Sequence, residues 1–275
     1  MVPALERAIC NIELMAEAGS PKNLRWQRLA ELVANRLRDR ILSGDLEDGA
    51  LLPKEEELRE AYPVSKPSIR EAMRILEAEG LITVRRGNVG GAVVHRPSST
   101  NVAYTLAMVL RAEDVGFHDV AMALREVEPA CAALCAERKD RRRAVVPKLR
   151  AIHKESLKMV DDLVVATEIS RRFHEAIVSL CGNGSLIVIV GALETLWSTH
   201  ETGWSRTKGA DQLPVNERRE ALQAHAELIE AIAEGDATRA RELTASHLQA
   251  VQNYPSMTDD NSVAPERLKD RLALG

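Results

Sequence analysis

Aromatic residues are scarce in this chain, and it has no long apolar run. Aromatics make up 3% of the 275 residues, which argues against folds that stack nucleic-acid bases on Phe and Tyr. The longest apolar run, Leu186–Leu193, is far shorter than the ~20 residues of a membrane-spanning helix. The first residues also lack the charged-then-apolar pattern of a signal peptide. We therefore expect a cytoplasmic protein with no membrane partner.

Cysteine is rare as well, and its spacing argues against a disulfide framework. The four cysteines include no CxxC pair, so we expect small buried thiols rather than disulfides or a cysteine metal site. The rest of the composition is ordinary, with 45% apolar residues, 28% charged residues and a net charge of −4. The length suits about two domains of ~100–200 residues each. The slight acidity does not exclude DNA binding, because the local distribution of charge decides it.

The N-terminal part has the pattern of a winged helix-turn-helix. An apolar stripe with a spacing of four runs from Leu29 to Ile41 and predicts an amphipathic helix. A short second helix follows, and a third begins after Ser65, a good N-cap, and ends at Gly80. Two short strands joined by a glycine-rich loop, over residues 82–94, predict a small wing.

Beyond residue 96 the strand signals vanish and helical periodicity takes over. The predicted helices lie at roughly 100–110, 117–138, 144–161, 165–180, 185–202, 216–234 and 236–253. The fold class is therefore mainly α: an N-terminal winged helix-turn-helix with a small two-stranded wing, and a C-terminal all-α bundle of about seven helices. The predicted organisation is an N-terminal arm at 1–24, a DNA-binding domain at 25–96, a linker at 97–104, a helical domain at 105–254 and a flexible tail at 255–275.

The third predicted helix carries a stripe of positive charge. Lys66, Arg70 and Arg74 recur at intervals of four residues, on a face away from the apolar stripe. Such a face fits the major groove of DNA, where Lys and Arg reach phosphates or guanine edges. Ser65 and Ser68 at the start of the helix can donate hydrogen bonds to phosphate.

The wing adds two further cations. Arg85 and Arg86 stand at the start of the glycine-rich loop, where they can enter a minor groove or contact the DNA backbone. A basic helix face alone is often only a solvated surface. A basic helix combined with a helix-turn-helix and a wing predicts DNA binding.

Three histidines are the notable feature of the helical part. His174, His225 and His247 each lie near the apolar face of a different predicted helix. A single histidine in that position usually packs as an ordinary core residue. Three that a bundle can bring together fit a divalent-metal site that faces a cavity. Trp197 and His200 share one helix face and either line a pocket or pack in the core or an interface.

The N-terminal part resembles a known family of regulators. The matching segments are Leu46–Glu55, Val64–Arg74 and Leu76–Ile82. They are similar to the N-terminal domain of GntR-family bacterial transcription regulators. The resemblance implies that Lys66, Ser68 and Arg70, with Arg86 and Gly87 of the wing, contact DNA. Many relatives place an arginine on DNA where this chain has Glu56.

The helical part resembles the FCD ligand-binding domain found in the FadR branch of the same family. The matching segments are Leu124–Ala130, Arg172–His174, Cys181–Asn183, Ala224–Ile232 and Ala240–Leu248. The resemblance implies that the three histidines are metal ligands, for an ion of the Zn, Ni or Mn type. It also implies that Arg125 faces the effector cavity and holds an anionic ligand; the alternative is a salt bridge with Glu126 or Glu128.

One position departs from this pattern. Metal-binding relatives carry an aspartate four residues before the first histidine, and this chain has Ser170 there. A neutral hydroxyl is a poor ligand for a divalent ion. Water or the effector completes the coordination shell, an acid such as Glu168 substitutes, or the site is weak.

The function predicted from these features is that of a DNA-binding transcriptional regulator without enzymatic activity. We expect a homodimeric repressor that binds a short near-palindrome of double-stranded operator DNA and is controlled by a small carboxylate effector. Two other functions stay open: a metal-dependent hydrolase built on a helical bundle, and a DNA-binding protein that has no effector. Operator binding that a small acid changes, against turnover of a substrate, distinguishes them.

Overall fold

A computed structural model describes residues 21–85, 91–207, 213–252, 263–266 and 268. The chain divides into two compact units at Pro97 and Ser98. The first unit is a winged helix and the second is a helical bundle, so the predicted fold class is confirmed. Most of the predicted arm and of the predicted tail lies outside the described residues.

The described part of the first unit contains three helices and a two-stranded sheet. They are α1 (Pro21–Ser43), α2 (Glu55–Ala61), α3 (Lys66–Ala78), β1 (Ile82–Arg85) and β2 (Gly91–Val94). The strands are antiparallel, with Ile82 opposite Val94. Helix α1 packs against α3, and both contribute to a core that includes Leu37, Ile41 and Leu76, all fully buried. Each such side chain contributes about 1.5–3 kcal/mol to stability through burial.

Local signals determine where α3 begins and ends. Ser65 has an extended backbone and its hydroxyl accepts a hydrogen bond from the Ser68 N–H at 3.4 Å, so it is the predicted N-cap. Pro67 stands in the first turn, where a missing N–H leaves no hydrogen bond unmade. Gly80 has a φ of +72°, a backbone conformation that glycine adopts without strain. The chain therefore leaves the helix at this point and enters β1.

The described part of the second unit is helical. Its helices are α4 (Ser99–Ala112), α5 (Phe117–Glu137), α6 (Arg141–Ala144), α7 (Val146–Met159), α8 (Leu163–Leu180), α9 (Gly184–Thr207), α10 (Val215–Glu234) and α11 (Ala237–Val251). In the described part of this unit there are seven long helices, as predicted, and α6 is a single turn that precedes α7. No helix among the described residues is both long and apolar enough to cross a membrane.

Helix α5 lies at the centre of the second unit. It packs against α8, α9, α10 and α11, and its residues Cys131 and Cys135 are fully buried. Cys181 is buried as well, and burial raises the pKa of the Cys135 thiol to about 12. These cysteines therefore act as small apolar side chains. The central place of α5 matters for the site, because its buried polar residues face the helices that surround it.

Candidate functional site

The exposed face of α3 carries the predicted basic stripe. Lys66, Arg70 and Arg74 are all exposed. Arg70 and Arg74 line an open groove that Arg85 of β1 also lines. The structure therefore brings the cations of the helix and of the first wing strand to one surface. This is the arrangement that a helix seated in a DNA groove requires.

Carboxylates hold these cations in place. Glu55 of α2 contacts both Lys66, with 3.1 Å from Oε1 to Nζ, and Arg70, with 3.3 Å from Oε2 to Nε. Glu71 contacts Arg74 at 2.6 Å, and that hydrogen bond lowers the pKa of Glu71. Burial would raise the pKa of Glu55, but its hydrogen bonds to the two cations lower it on balance. The basic surface is thus partly neutralised before DNA arrives.

The other residues predicted to contact DNA are the serines at the start of α3 and two residues of the wing. Ser65 is exposed, whereas Ser68 is fully buried, with its Oγ 2.9 Å from the Ser65 Oγ. The Ser68 hydroxyl therefore stabilises the start of α3 instead of facing solvent, which differs from the predicted phosphate contact. Arg86 and Gly87 lie outside the described residues, so their contacts remain predictions.

In the second unit the three predicted histidines form one cluster. They come from α8 (His174), α10 (His225) and α11 (His247), and all three are buried. The Nε2 atom of His247 lies 3.0 Å from that of His225 and 3.3 Å from that of His174. One ring nitrogen from each histidine lies within 4.8 Å of the others. Three ligand atoms from three helices therefore converge on one point.

The cluster has the geometry and the protonation state that a divalent ion needs. Ligands about 2.0–2.1 Å from a tetrahedral Zn²⁺ ion lie about 3.4 Å apart, close to the two separations between Nε2 atoms. Burial lowers the pKa of His174, lowers that of His225 well below its usual range, and with the nearby His174 lowers that of His247 to about 3. The imidazoles are therefore neutral at pH 7, as a metal requires. The three residues can hold a metal ion.

A buried carboxylate orients the first histidine. Glu128 of α5 is fully buried, and its Oε1 lies 2.6 Å from the Nδ1 of His174. Burial raises the pKa of Glu128 to about 7. When the Nδ1–H of His174 donates to Glu128, the lone pair of Nε2 points to the other two histidines. Such a contact fixes the tautomer and the ring orientation of a metal ligand.

A cavity of about 70 Å³ adjoins the cluster at His174. Its charged and hydroxyl-bearing lining residues are Ser156, Thr167, Ser170, Arg171, Glu194, Glu201 and Arg218. Burial raises the pKa of Glu201 to about 7 and that of Glu194 well above its usual value. The Nε atoms of Arg171 and Arg218 are buried and have no hydrogen-bond partner among the described residues. Two arginines that line the cavity beside His174 thus each keep an unused buried donor.

The predicted effector residues do not all reach this cavity. Trp197 lines it, whereas His200 lines a separate, smaller hollow and stacks on Phe117 with 4.1 Å between the ring centroids. Arg125 is half-buried on α5 and is not part of the cavity lining. Glu168 is exposed, so it does not supply the carboxylate that Ser170 lacks.

Sequence reasoning missed Glu128 as the partner of His174 and missed the two cavity arginines. A signal was present for Arg171, which stands three residues before His174 and so shares its helix face. Glu194 stands three residues before Trp197 and Glu201 stands four residues after it, so both share the Trp197 face of α9. No local signal identifies Glu128 or Arg218, because their partners, His174 and Val160, lie far away in the sequence.

Comparisons with known protein families give a match for each of the two units. The sequence profile described as "Bacterial regulatory proteins, gntR family" matches residues 29–93, and the FCD domain profile matches residues 119–250. Together the two profiles span more than half of the chain.

Individual relatives cover nearly the whole chain. An L-lactate dehydrogenase operon regulatory protein of Escherichia coli (strain K12) is 26% identical over 249 residues, which is 88% of this chain and 92% of the relative. The HTH-type transcriptional repressor NanR of Salmonella newport (strain SL254) is 27% identical over 232 residues, covering 82% and 84%.

A solved structure shares the fold. A GntR protein of Streptococcus agalactiae superposes with a TM-score of 0.62 at 23% sequence identity, over 81% of this chain and 98% of that one. The winged helix, the helical bundle and the two profile matches lead to the same assignment: the chain belongs to the GntR family of bacterial regulatory proteins, carries an FCD domain, and is a DNA-binding transcriptional regulator.

Proposed function

We propose that this regulator binds a small carboxylate in the cavity of the second unit and responds with a changed affinity for operator DNA. The observation that carries the proposal is the convergence of three buried histidines beside a cavity that holds two guanidinium groups. A divalent ion of the Zn, Ni or Mn type would be held by His174, His225 and His247. When bound, it would offer a Lewis-acidic position to a carboxylate oxygen.

The cavity arginines are the proposed anion-binding residues. Arg171 is paired with Glu175 through Nη1, and Arg218 donates through Nη1 to the backbone oxygen of Val160. Each keeps a buried Nε–H without a partner among the described residues, and a buried donor gains stability when a ligand satisfies it. We therefore assign the binding of the anionic ligand to Arg171 and Arg218 and not to Arg125, for which the sequence predicted it. Trp197 would contact the apolar part of the ligand.

Helix α3 is the element that would contact the operator DNA. Two copies of the chain, related by a two-fold axis, would place two α3 helices on the half-sites of a short near-palindrome. Lys66, Arg70 and Arg74 would contact bases and phosphates, with Arg85 and Arg86 on the wing side. An effector would shift the population of dimers that match this spacing, provided that it binds the two states unequally. Such a function belongs in the cytoplasm, where operator DNA is found.

Calorimetry and DNA binding together test the effector site. Purified protein is titrated with acetate, lactate and citrate, before and after chelation, and its affinity is measured for a duplex selected from random sequences. Lactate is included because one relative is named for a lactate dehydrogenase operon. We expect at least one acid to bind the metal-loaded protein and to change the DNA affinity, and expect both effects to disappear after chelation.

Variants locate the anion site. Arg171→Gln and Arg218→Gln should each weaken acid binding about tenfold or more, as the loss of a charge-assisted hydrogen bond predicts. The control is Arg172→Gln, an exposed neighbour paired with Glu155, which should bind the acid normally. Binding that survives both cavity variants and chelation would contradict the proposal. Turnover of an ester or amide would instead support the metal-dependent hydrolase.

A further inference from the structure

One carboxylate of the first unit contacts two cations of the recognition helix. Glu55 belongs to α2, whereas Lys66 and Arg70 stand one turn apart on α3. Lys66 and Arg70 have side chains that are 50% and 66% exposed, and Glu55 retains 30%. Because this contact joins the two helices of the helix-turn-helix motif, it sets where these cations lie on the groove-facing surface.

The two arginines of α3 are held in different ways. Glu71 binds Arg74 through both Nε and Nη2, at 2.9 and 2.6 Å, so one edge of that guanidinium is occupied. Glu55 binds Arg70 through Nε alone, at 3.3 Å. Within the described residues, the Nη1 and Nη2 atoms of Arg70 have no hydrogen-bond partner. Bidentate recognition of guanine O6 and N7 needs two donors, and these two stay available while Glu55 keeps its contact.

We propose that Glu55 is a positioning residue for sequence reading. It holds Arg70 through Nε and leaves the Nη1 and Nη2 donors for a guanine edge. A side chain held in its bound geometry loses less conformational entropy on binding. Glu55 also offsets part of the charge of Lys66 and Arg70, which weakens attraction to phosphates of any sequence. The inference rests on the proposed placement of α3 in the major groove.

The alternative explanation is that Glu55 only competes with DNA phosphates for Lys66 and Arg70. In that case Glu55 only neutralises the two cations, and its removal strengthens binding to every DNA sequence alike. The two explanations differ in the ratio of affinities for preferred and unrelated DNA. Positioning predicts that this discrimination ratio falls when Glu55 is replaced, whereas competition predicts that it does not change.

The test uses the full-length protein and two duplexes at one salt concentration. The first duplex is selected by the wild-type protein from random sequences, and the second is a scrambled version of it. Glu55→Gln removes the charge and keeps the shape of the side chain. The control is Glu60→Gln, the same charge change at an exposed position of the same helix. Thermal melting checks that each variant is folded.

We expect Glu55→Gln to lower the discrimination ratio about tenfold, while affinity for the scrambled duplex stays equal or rises. Glu60→Gln should leave the ratio at the wild-type value. In the Arg70→Ala background, which itself lowers the ratio, Glu55→Gln should cause no further fall. That non-additivity would not arise from a purely structural role of Glu55.

Three results would overturn the inference. Equal gains in affinity for both duplexes would reduce Glu55 to an electrostatic competitor, and unchanged affinities for both duplexes would remove any role in reading. An additive loss in the double variant would separate Glu55 from Arg70. If Arg70→Ala keeps the wild-type ratio, the placement of α3 is wrong, a failure distinct from that of Glu55 alone.

Discussion

Glu128 is a buried acid that contacts a histidine of the proposed metal site. Its Oε1 lies 2.6 Å from the Nδ1 of His174, so replacement by a neutral amide weakens the group that orients this ligand. We expect Glu128→Gln to lower metal affinity by about 10- to 100-fold. Competition with a fluorescent chelator measures the change. The control Glu126→Gln, at an exposed position on the same helix, should retain wild-type affinity.

Ser170 offers the opposite test, a gain of metal affinity. It lines the cavity together with His174 and stands one turn before it on α8, a spacing at which two side chains share a helix face. We expect Ser170→Asp to raise metal affinity about tenfold or more, because a charged oxygen replaces a neutral hydroxyl. Ser179→Asp, at an exposed position of the same helix, is the matched control. Equal affinity in the two variants would contradict this geometry.

Protonation of the histidines predicts how the proposed metal site responds to acid. A histidine in solution takes up a proton near pH 6.5 and then no longer binds metal. Burial lowers the pKa of His247 to about 3 and that of His225 well below its usual range. The ligands thus stay neutral as the pH falls below 6.5. We expect metal measured after gel filtration to remain bound at pH 5.5, and its complete loss there would contradict the buried cluster.

At the scale of elements, the proposed metal joins three helices that are distant in sequence. His174, His225 and His247 belong to α8, α10 and α11, so an ion bound to all three stabilises their packing. At a free metal concentration about 100 times its Kd, binding adds about 2.7 kcal/mol to the free energy of unfolding. We expect a chelator to lower the melting temperature of the wild-type protein, as measured by circular dichroism.

Variants show whether the cluster causes this effect. His225→Ala should melt at the same temperature with and without chelator, because one ligand of three is gone. His153→Ala changes a histidine of α7 outside the cluster and should keep the wild-type response. If the chelator changes the melting temperature of none of the three proteins, the three histidines are ordinary core residues.

For the whole molecule, the expected state is a two-fold dimer. A single recognition helix buries too little surface for tight and specific binding, and a symmetric pair doubles it. Light scattering should give twice the 30.3 kDa mass of the chain. The logarithm of the DNA affinity should fall linearly and steeply with the logarithm of salt concentration, since several phosphates are neutralised per dimer. A monomer at DNA-binding concentrations would contradict the prediction.

Local patterns in the sequence were sufficient to predict the helices and strands and to recognise the family. The cap at Ser65, the stop at Gly80 and the periodicity of the bundle depend on neighbours along the chain, so they predict helices without knowledge of the fold. The basic stripe of α3 and the three histidine positions were found for the same reason. Arg86 and Gly87 stay predictions, because they lie outside the described residues.

Only the tertiary structure decided which side chains meet. Glu128 and His174 are 46 positions apart, and His174 and His247 are 73 apart, so no local pattern reveals that they touch. The same holds for the pairing of Glu55 with Arg70 and for the choice of Arg171 and Arg218, not Arg125, as cavity residues. A sequence determines which face of a helix is apolar. Which faces pack together depends on contacts between helices, and those contacts decide whether a charged residue on the edge of that face meets a partner, a cavity or water.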